Sequence, residues 1–209
     1  MPTGTGIYGG RTAEERRVER RTRLVESASA IWAEQGWAAV SMRGVCAHAG
    51  LVDRYFYESF ANRDALLVAV WEQARDDIAG LIVGAMTGHE DDPFAALRAA
   101  VAAVVGYIDS TPERARIVLA DCAGCEPLTH ARARALQTVS DLLLGLARPY
   151  LTAPDDLGLR MTTLLAVGGF VELATAWKDG RIDADADTIV EHVAGTATLL
   201  ARQYIGTAT

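Results

Sequence analysis

From about Thr12 onward, apolar residues recur every three or four positions and strict alternation is almost absent. That period predicts helices throughout and an all-α fold of about nine helices. The first is expected from about Ala13 to Gln35, with Leu24, Ala28, Ile31 and Trp32 on one stripe and Gly36 as its stop. Ser41 is a natural N-cap for a short second helix ending at Gly50, and a third short helix covers roughly Val52–Ser59. Asn62 caps a long fourth helix from Arg63 to about Met86. Asp92-Pro93 and Thr111-Pro112 each set a capping side chain before a proline at the first helical position, opening helices at about 93–109 and 112–122. Further helices are expected at about 127–148, 155–178 and 187–205, the last with Ile189, Val193, Ala197, Leu200 and Tyr204 on one stripe.

Two helices of roughly two turns cannot bury enough surface to stand alone, so the pair in Ser41–Phe60 must be held between the first and fourth helices. Gly50 supplies the left-handed residue that a tight turn between them needs. Val45, Leu51 and Phe56 are spaced to share a small core, with Cys46 as a small residue where the helices cross. This is the helix-turn-helix plan, whose second helix enters the DNA major groove. GLVDRYFYESF (Gly50–Phe60) is dense in aromatic and basic residues in a chain only 7% aromatic. Phe56 and Phe60 are expected to point inward, leaving Arg54, Tyr55 and Tyr57 toward the groove and phosphates.

The run from Thr22 to Trp71 resembles the DNA-binding domain of the tetracycline-repressor (TetR) family. The resemblance rests on the Leu24/Ala28 start, Gly36, the stretch from Ser41 to Ala49-Gly50, Tyr57, Phe60 and ANRDALL at Ala61–Leu67. It implies an N-terminal three-helix DNA-binding domain (12–62) behind a mobile arm (1–11), and a ligand-binding and dimerisation bundle (63–209). The family often has a small polar residue and a lysine, then Gly-Thr, where this chain has Val52-Asp53 and Arg54-Tyr55, and His-His where it has Glu58-Ser59. Base preference is therefore this chain's own. The resemblance also implies a homodimer on an inverted-repeat operator of double-stranded DNA, most often as a repressor, released by a small-molecule effector.

Charge changes the picture. The formal net charge of −7 alone argues against nucleic acid, yet residues 1–63 carry nine Arg against seven Asp/Glu while the rest is strongly acidic. Ser41, Arg43, Val52, Asp53, Arg54, Tyr55, Tyr57 and Arg63 form the expected DNA-contacting set. Arg54 suits a bidentate bond to guanine, Ser41 and Tyr57 suit phosphate oxygens, and Arg43 and Arg63 flank the backbone. Asp53 at a helix start favours the dipole over a cytosine contact. The Arg-rich first helix (Arg11–Arg23) reads either as a solvated face or as an arm on phosphate.

Trp71, Phe94, Tyr107, Met161, Phe170 and Trp177 are the large apolar candidates for an effector pocket, pointing to a hydrophobic or aromatic ligand. The last two helices are too apolar for one-sided burial. Leu165, Gly169, Leu173, Ile189, Val193, Ala197 and Leu200 are the expected dimer interface, which the resemblance places in a four-helix arrangement.

Cys122-Ala-Gly-Cys125 raises two rival readings, a thiol switch or a metal-responsive site, against packing at a helix junction. One such pair supplies only two ligands, so no metal and no cofactor are expected. GxSxG, HExxH and GxxxxGK[ST] are absent and the four histidines are scattered, so no catalytic residues and no enzyme activity are expected. The longest apolar run, Ala99–Ile108, is too short to cross a bilayer. With no signal peptide visible, the expected place is the cytoplasm, without membrane attachment. A DNA-free helical interaction module is the remaining alternative.

Overall fold

The computed structural model describes residues 12–89, 91–151 and 157–204, and the arm expected at 1–11 lies outside them. Every regular element among the described residues is helical. They are α1 (Ala13–Gln35), a 3-10 turn (Trp37–Ala39), α2 (Met42–Ala49), α3 (Asp53–Ser59), α4 (Arg63–Met86), α5 (Pro93–Ser110), α6 (Pro112–Val118), α7 (Glu126–Ala147), a second 3-10 turn (Arg148–Tyr150), α8 (Leu157–Lys178) and α9 (Ala186–Ala201).

Helix starts follow the capping chemistry. The Thr12 hydroxyl accepts from Glu15 N while the Glu15 carboxylate accepts from Thr12 N, closing a capping box. Asn62 accepts from Ala65 N at 2.9 Å, and Asp92 from both Phe94 N and Ala95 N at 3.0 Å. Thr111 departs from expectation. It closes α5 and opens α6 at once, and its hydroxyl donates backward to Tyr107 O at 2.6 Å instead of capping α6.

Two helices end earlier than their apolar pattern suggests. Helix α6 stops at Val118, not near residue 122, because the chain turns through 119–125, with Gly124 at φ +89°. The Thr129 hydroxyl satisfies the carbonyls of Cys122 and Cys125 in that turn, each at 3.2 Å. Helix α9 ends at Ala201, and the expected end near Ile205 lies outside the described residues.

In packing, α1 cradles α2 and α3 and also contacts α6, α4 runs along α5 and α7, and α5 backs onto α9. The buried side chains form two clusters. One joins Leu24, Trp32, Val45, Phe56, Phe60 and Leu67 of the first four helices to Ile117, Cys122, Cys125, Leu128 and Ala131 of the α6–α7 elbow. The other lies between α4, α5, α8 and α9 around Ile82, Val105, Ile108, Trp177 and Ile189. The expected domain boundary at 62/63 therefore falls at a helix start, and the first core runs straight across it.

Candidate nucleic-acid interface and effector cavity

The short-helix pair is assembled by its own residues. Ser41 accepts from Gly44 N at 3.2 Å to start α2, and Gly50 ends it at φ +62°. Arg23 of α1 donates to the Ala49 carbonyl, holding the turn from outside. Val45 and Phe56 are fully buried, and Leu51 packs against them. Asp53 sits at the first turn of α3, where the dipole favours it. Buried Cys46 lies below it, its thiol pushed up by burial and then by the Asp53 charge.

The outer face of α3 is polar and open. The Arg54 side chain is 82% exposed, and its Nε donates to Glu58 Oε1 at 2.9 Å along the helix. Val52 and Tyr57 are both 62% exposed, and Asp53 is exposed beside them. Phe56 and Phe60 are buried behind, with ring centroids 5.8 Å apart. Tyr55 departs from the expectation of a free groove-facing phenol: it is half-buried, with the Arg20 guanidinium 4.3 Å above its ring. Arg43 is exposed on α2 near Ser41.

Arg63, expected to flank the DNA backbone, is held by the fold itself. Its guanidinium donates to the carbonyls of Val40 (2.5 Å), Trp37 (2.7 Å) and Ala38 (3.2 Å), and lies 5.6 Å from the Trp37 ring centre. Through Nε and Nη2 it ties the turn after α1 to the start of α4, while Nη1 lies 3.7 Å from Asp64. The arginine-rich α1 is likewise bracing. Besides Arg20 and Arg23, Arg21 stacks over Phe60 at 4.4 Å, and Arg20 reaches Glu58 at 3.5 Å. Sequence reading missed this role because each contact joins residues far apart in the chain; the aromatic density of α3 was the available hint.

Beyond the short-helix pair, α4, α5, α7, α8 and α9 line an apolar cavity of about 190 Å³. A second apolar lobe of about 300 Å³ shares the walls Leu97, Leu143, Ala166, Val167 and Ala197 with it. On the opposite side Leu119 and Arg132 separate the cavity from a polar cleft of about 580 Å³ between α6, α7 and α8. Of the six expected lining residues, only Trp71 and Phe170 line the cavity. Phe94 and Tyr107 are half-buried elsewhere on α5, and Met161 is 54% exposed on the outside of α8. Trp177 belongs to the second core, its indole N–H donating to Ala184 O at 2.8 Å. Large apolar side chains at helical spacing do not distinguish a cavity wall from core, and smaller residues such as Val104, Ala135 and Val139 line more of it. Trp71 Nε1 is buried without a hydrogen-bond partner among the described residues.

The expected dimer set splits by helix. On α9, Ile189 is buried and Val193, Ala197 and Leu200 turn toward the chain's own core and cavities. Most of the α9 stripe is thus consumed by packing against α5. On α8, Leu165 is 75% exposed, Gly169 is exposed and Leu173 half-buried, joined by exposed Leu157, Met161 and Leu164; Leu199 of α9 is exposed as well. By length and composition alone both α5 and α8 would span a bilayer, a property the uninterrupted-run criterion overlooked. Of these apolar windows 28% is buried in α5 and only 11% in α8.

Cys122 and Cys125 are both buried, and burial pushes the Cys122 thiol up despite nearby Arg132. A raised, covered thiol is the opposite of what a sensor cysteine needs. Among the described residues no group of three or more His, Cys, Asp or Glu is placed to hold a metal ion.

Residues 24–70 match the family model described as bacterial regulatory proteins, tetR family. The HTH-type transcriptional activator FasR of Mycolicibacterium smegmatis is 25% identical over 194 residues, covering 91% of this chain and 85% of that protein. Among solved structures, the fatty acid degradation regulator FadR from Bacillus halodurans aligns with a TM-score of 0.70 at 18% identity, covering 87% of this chain and 94% of that one. FadR from Bacillus subtilis, in complex with stearoyl-CoA, aligns with a TM-score of 0.65 at 16% identity, covering 86% and 96% respectively.

Proposed function

Because the chain belongs to the TetR family of bacterial regulatory proteins, we propose that it is an operator-binding homodimer whose affinity for DNA is set by an apolar effector in the α4–α9 cavity. The observation that carries the DNA half is α3 itself: a helix anchored by Phe56 at 1% exposure that presents Arg54 at 82%. Buried anchors fix the helix, and exposed donors on its outer face reach base edges and phosphates. Arg54 is the base reader in this proposal, with Ser41, Arg43 and Tyr57 on phosphates and Val52 available to a thymine methyl. Asp53 stays with the helix dipole.

The dimer forms through the outer face of α8, where Leu157, Met161, Leu164 and Leu165 present more apolar surface than an isolated chain keeps in water. A Cβ built on Gly168 or Gly169 meets nothing within 4 Å, which leaves room for a second α8 to approach closely. A two-fold dimer presents two α3 helices related by its axis, hence the inverted-repeat operator. The chain acts as a repressor: the effector favours a state in which α4, which carries Trp71 into both the first core and the cavity wall, holds the heads at the wrong spacing. Only differential affinity for that state shifts the population. The adjoining apolar cavities support an apolar effector, and the stearoyl-CoA held by a neighbouring fold supports a long chain over a compact aromatic.

The test is a gel-shift titration over the chain's own promoter region at several salt concentrations. Wild type is expected to give a salt-dependent shift. Arg54→Ala should weaken it strongly, and the salt slope should drop by about one for each phosphate that is no longer neutralised, while light scattering still reports a dimer. Unimpaired binding by Arg54→Ala would remove α3 from the role given to it. A reporter behind the operator reads the sign of regulation: expression should rise when the protein is deleted.

A further inference from the structure

We infer that the effector is a linear apolar chain ending in an anionic head group, and that the head pairs with Arg132 at the seam between the inner cavity and the polar cleft. This deepens the proposed effector role of the cavity and rests on it. The inner cavity is walled by aliphatic residues and two rings. Among the described residues its only charged lining groups are Arg75 and Arg132, and no carboxylate is among the residues that line it. An apolar pocket whose charged lining is positive alone suits an anion attached to a hydrocarbon.

The two arginines are not equivalent. Arg75 is already matched, its Nε and Nη2 both donating to Asp76 at 2.9 and 2.7 Å. Arg132 is under-committed. Nη1 reaches Ala120 O at 3.3 Å, and its nearest carboxylate, Glu172, lies 3.8 Å away with a side chain 75% exposed. A guanidinium has five donors in a planar fork, so it retains capacity for a carboxylate or phosphate. It also faces the cleft, where Arg116 and Lys178 stand with Asp121, Glu172 and Asp179. Asp179 is engaged by Arg181 at 3.4 Å, and Asp121 Oδ1 accepts from Ala123 N at 2.9 Å. Glu172 is the carboxylate the head must displace from Arg132.

A second observation agrees. Trp71 is 3% exposed, lines the same cavity, and keeps an indole N–H with no acceptor among the described residues. A carbonyl or carboxylate oxygen supplies the acceptor that a bare hydrocarbon lacks. The second apolar lobe adjoins the cavity across five shared wall residues, so apolar space for a tail lies on both sides of that wall.

The same arginine touches the wiring to the reading head. Arg132 holds the Ala120 carbonyl, the next carbonyl (Asp121) accepts from Trp37 Nε1 at 2.9 Å, and Arg116 of the cleft donates to Ala33 O at 3.0 Å. A head group that draws Arg132 away from Ala120 thus loosens the turn against which α1 and its 3-10 extension are fixed.

The experiment uses the full chain, isothermal titration and operator release, with three probes sharing one tail: stearate, stearoyl-CoA and octadecanol. Wild type should bind an anionic probe about tenfold or more tightly than octadecanol, as one charge-assisted pair implies. Arg132→Gln should lose that preference with octadecanol binding unchanged, and Arg132→Lys should keep part of it; the second variant also guards against a folding defect, checked by thermal melting. Lys178→Gln should weaken stearoyl-CoA and spare stearate if the head extends into the cleft, so the two anionic arms separate a thioester carrier from a free acid. Equal binding of all three probes, no binding of any, or an Arg132→Gln variant that keeps its preference overturns the inference. Wild type failing to shift operator DNA at all would instead overturn the regulator proposal, whichever probe binds.

Discussion

Replacing Arg63 separates a structural cation from a DNA contact. Its guanidinium makes three bonds to the carbonyls of Trp37, Ala38 and Val40, two of them part-buried. An intramolecular hydrogen bond contributes about 1 kcal/mol net, and carbonyls left without a donor recover part of that from water where they can reach it. With the side chain 34% exposed, Arg63→Gln should cost about 2 kcal/mol of stability after that discount. For a chain of 209 residues this lowers the melting midpoint by about 4–8 °C. The assay is urea unfolding at fixed protein concentration, since the proposed dimer would couple stability to concentration. The midpoint should fall with an unchanged slope, and the salt dependence of operator binding should stay where it was. A variant with unaltered stability and a salt slope lower by about one would refute this reasoning and return Arg63 to the phosphate backbone.

Leu165→Glu places a charge on a position 75% exposed in one chain; it should shift sedimentation toward monomer without lowering secondary structure, and a persisting dimer would move the interface off α8. Phe56→Ala removes a ring that is 1% exposed and packed between Tyr57 and Phe60, so a loss of about 3–5 kcal/mol is expected in denaturant titrations. Burial raises the thiols of Cys46 and Cys122 above the ordinary 9.0, so the folded state favours their protonated forms. Their contribution is fully present below pH 9.0 and is lost as pH rises through the folded values, where the unfolded chain ionises first. Unfolding midpoints should therefore fall above that pH, and fall less in Cys122→Ala.

The helix plan was legible because its signals are local. Ser41, Asn62, Asp92-Pro93 and Gly50 act on backbone groups within four residues, so spacing alone carries them. The inward turn of Phe56 and Phe60 followed from the same logic. Apart from Thr111 and the early end of α6, whose causes are local, the failures are long-range. Nothing near Arg63 in sequence announces Val40 O, and nothing near Trp37 announces Asp121 O, eighty-four positions away. The α9 stripe of Ile189, Val193 and Ala197 packs at least in part against α5: periodicity identifies a face that must be covered but not whether α5 or another chain covers it. The cavity was least legible, because an empty space is defined by what several helices fail to fill.

The first core carries an engineering consequence. Since Leu24, Phe56 and Leu67 share one buried cluster with Ile117, Cys122 and Leu128, a fragment cut after Asn62 would lay bare an oily wall and should precipitate, not behave as a free-standing DNA binder. Grafting a foreign operator preference onto this effector bundle would therefore mean transplanting the stretch around 115–135 together with the first sixty residues, or re-matching every side chain along that seam.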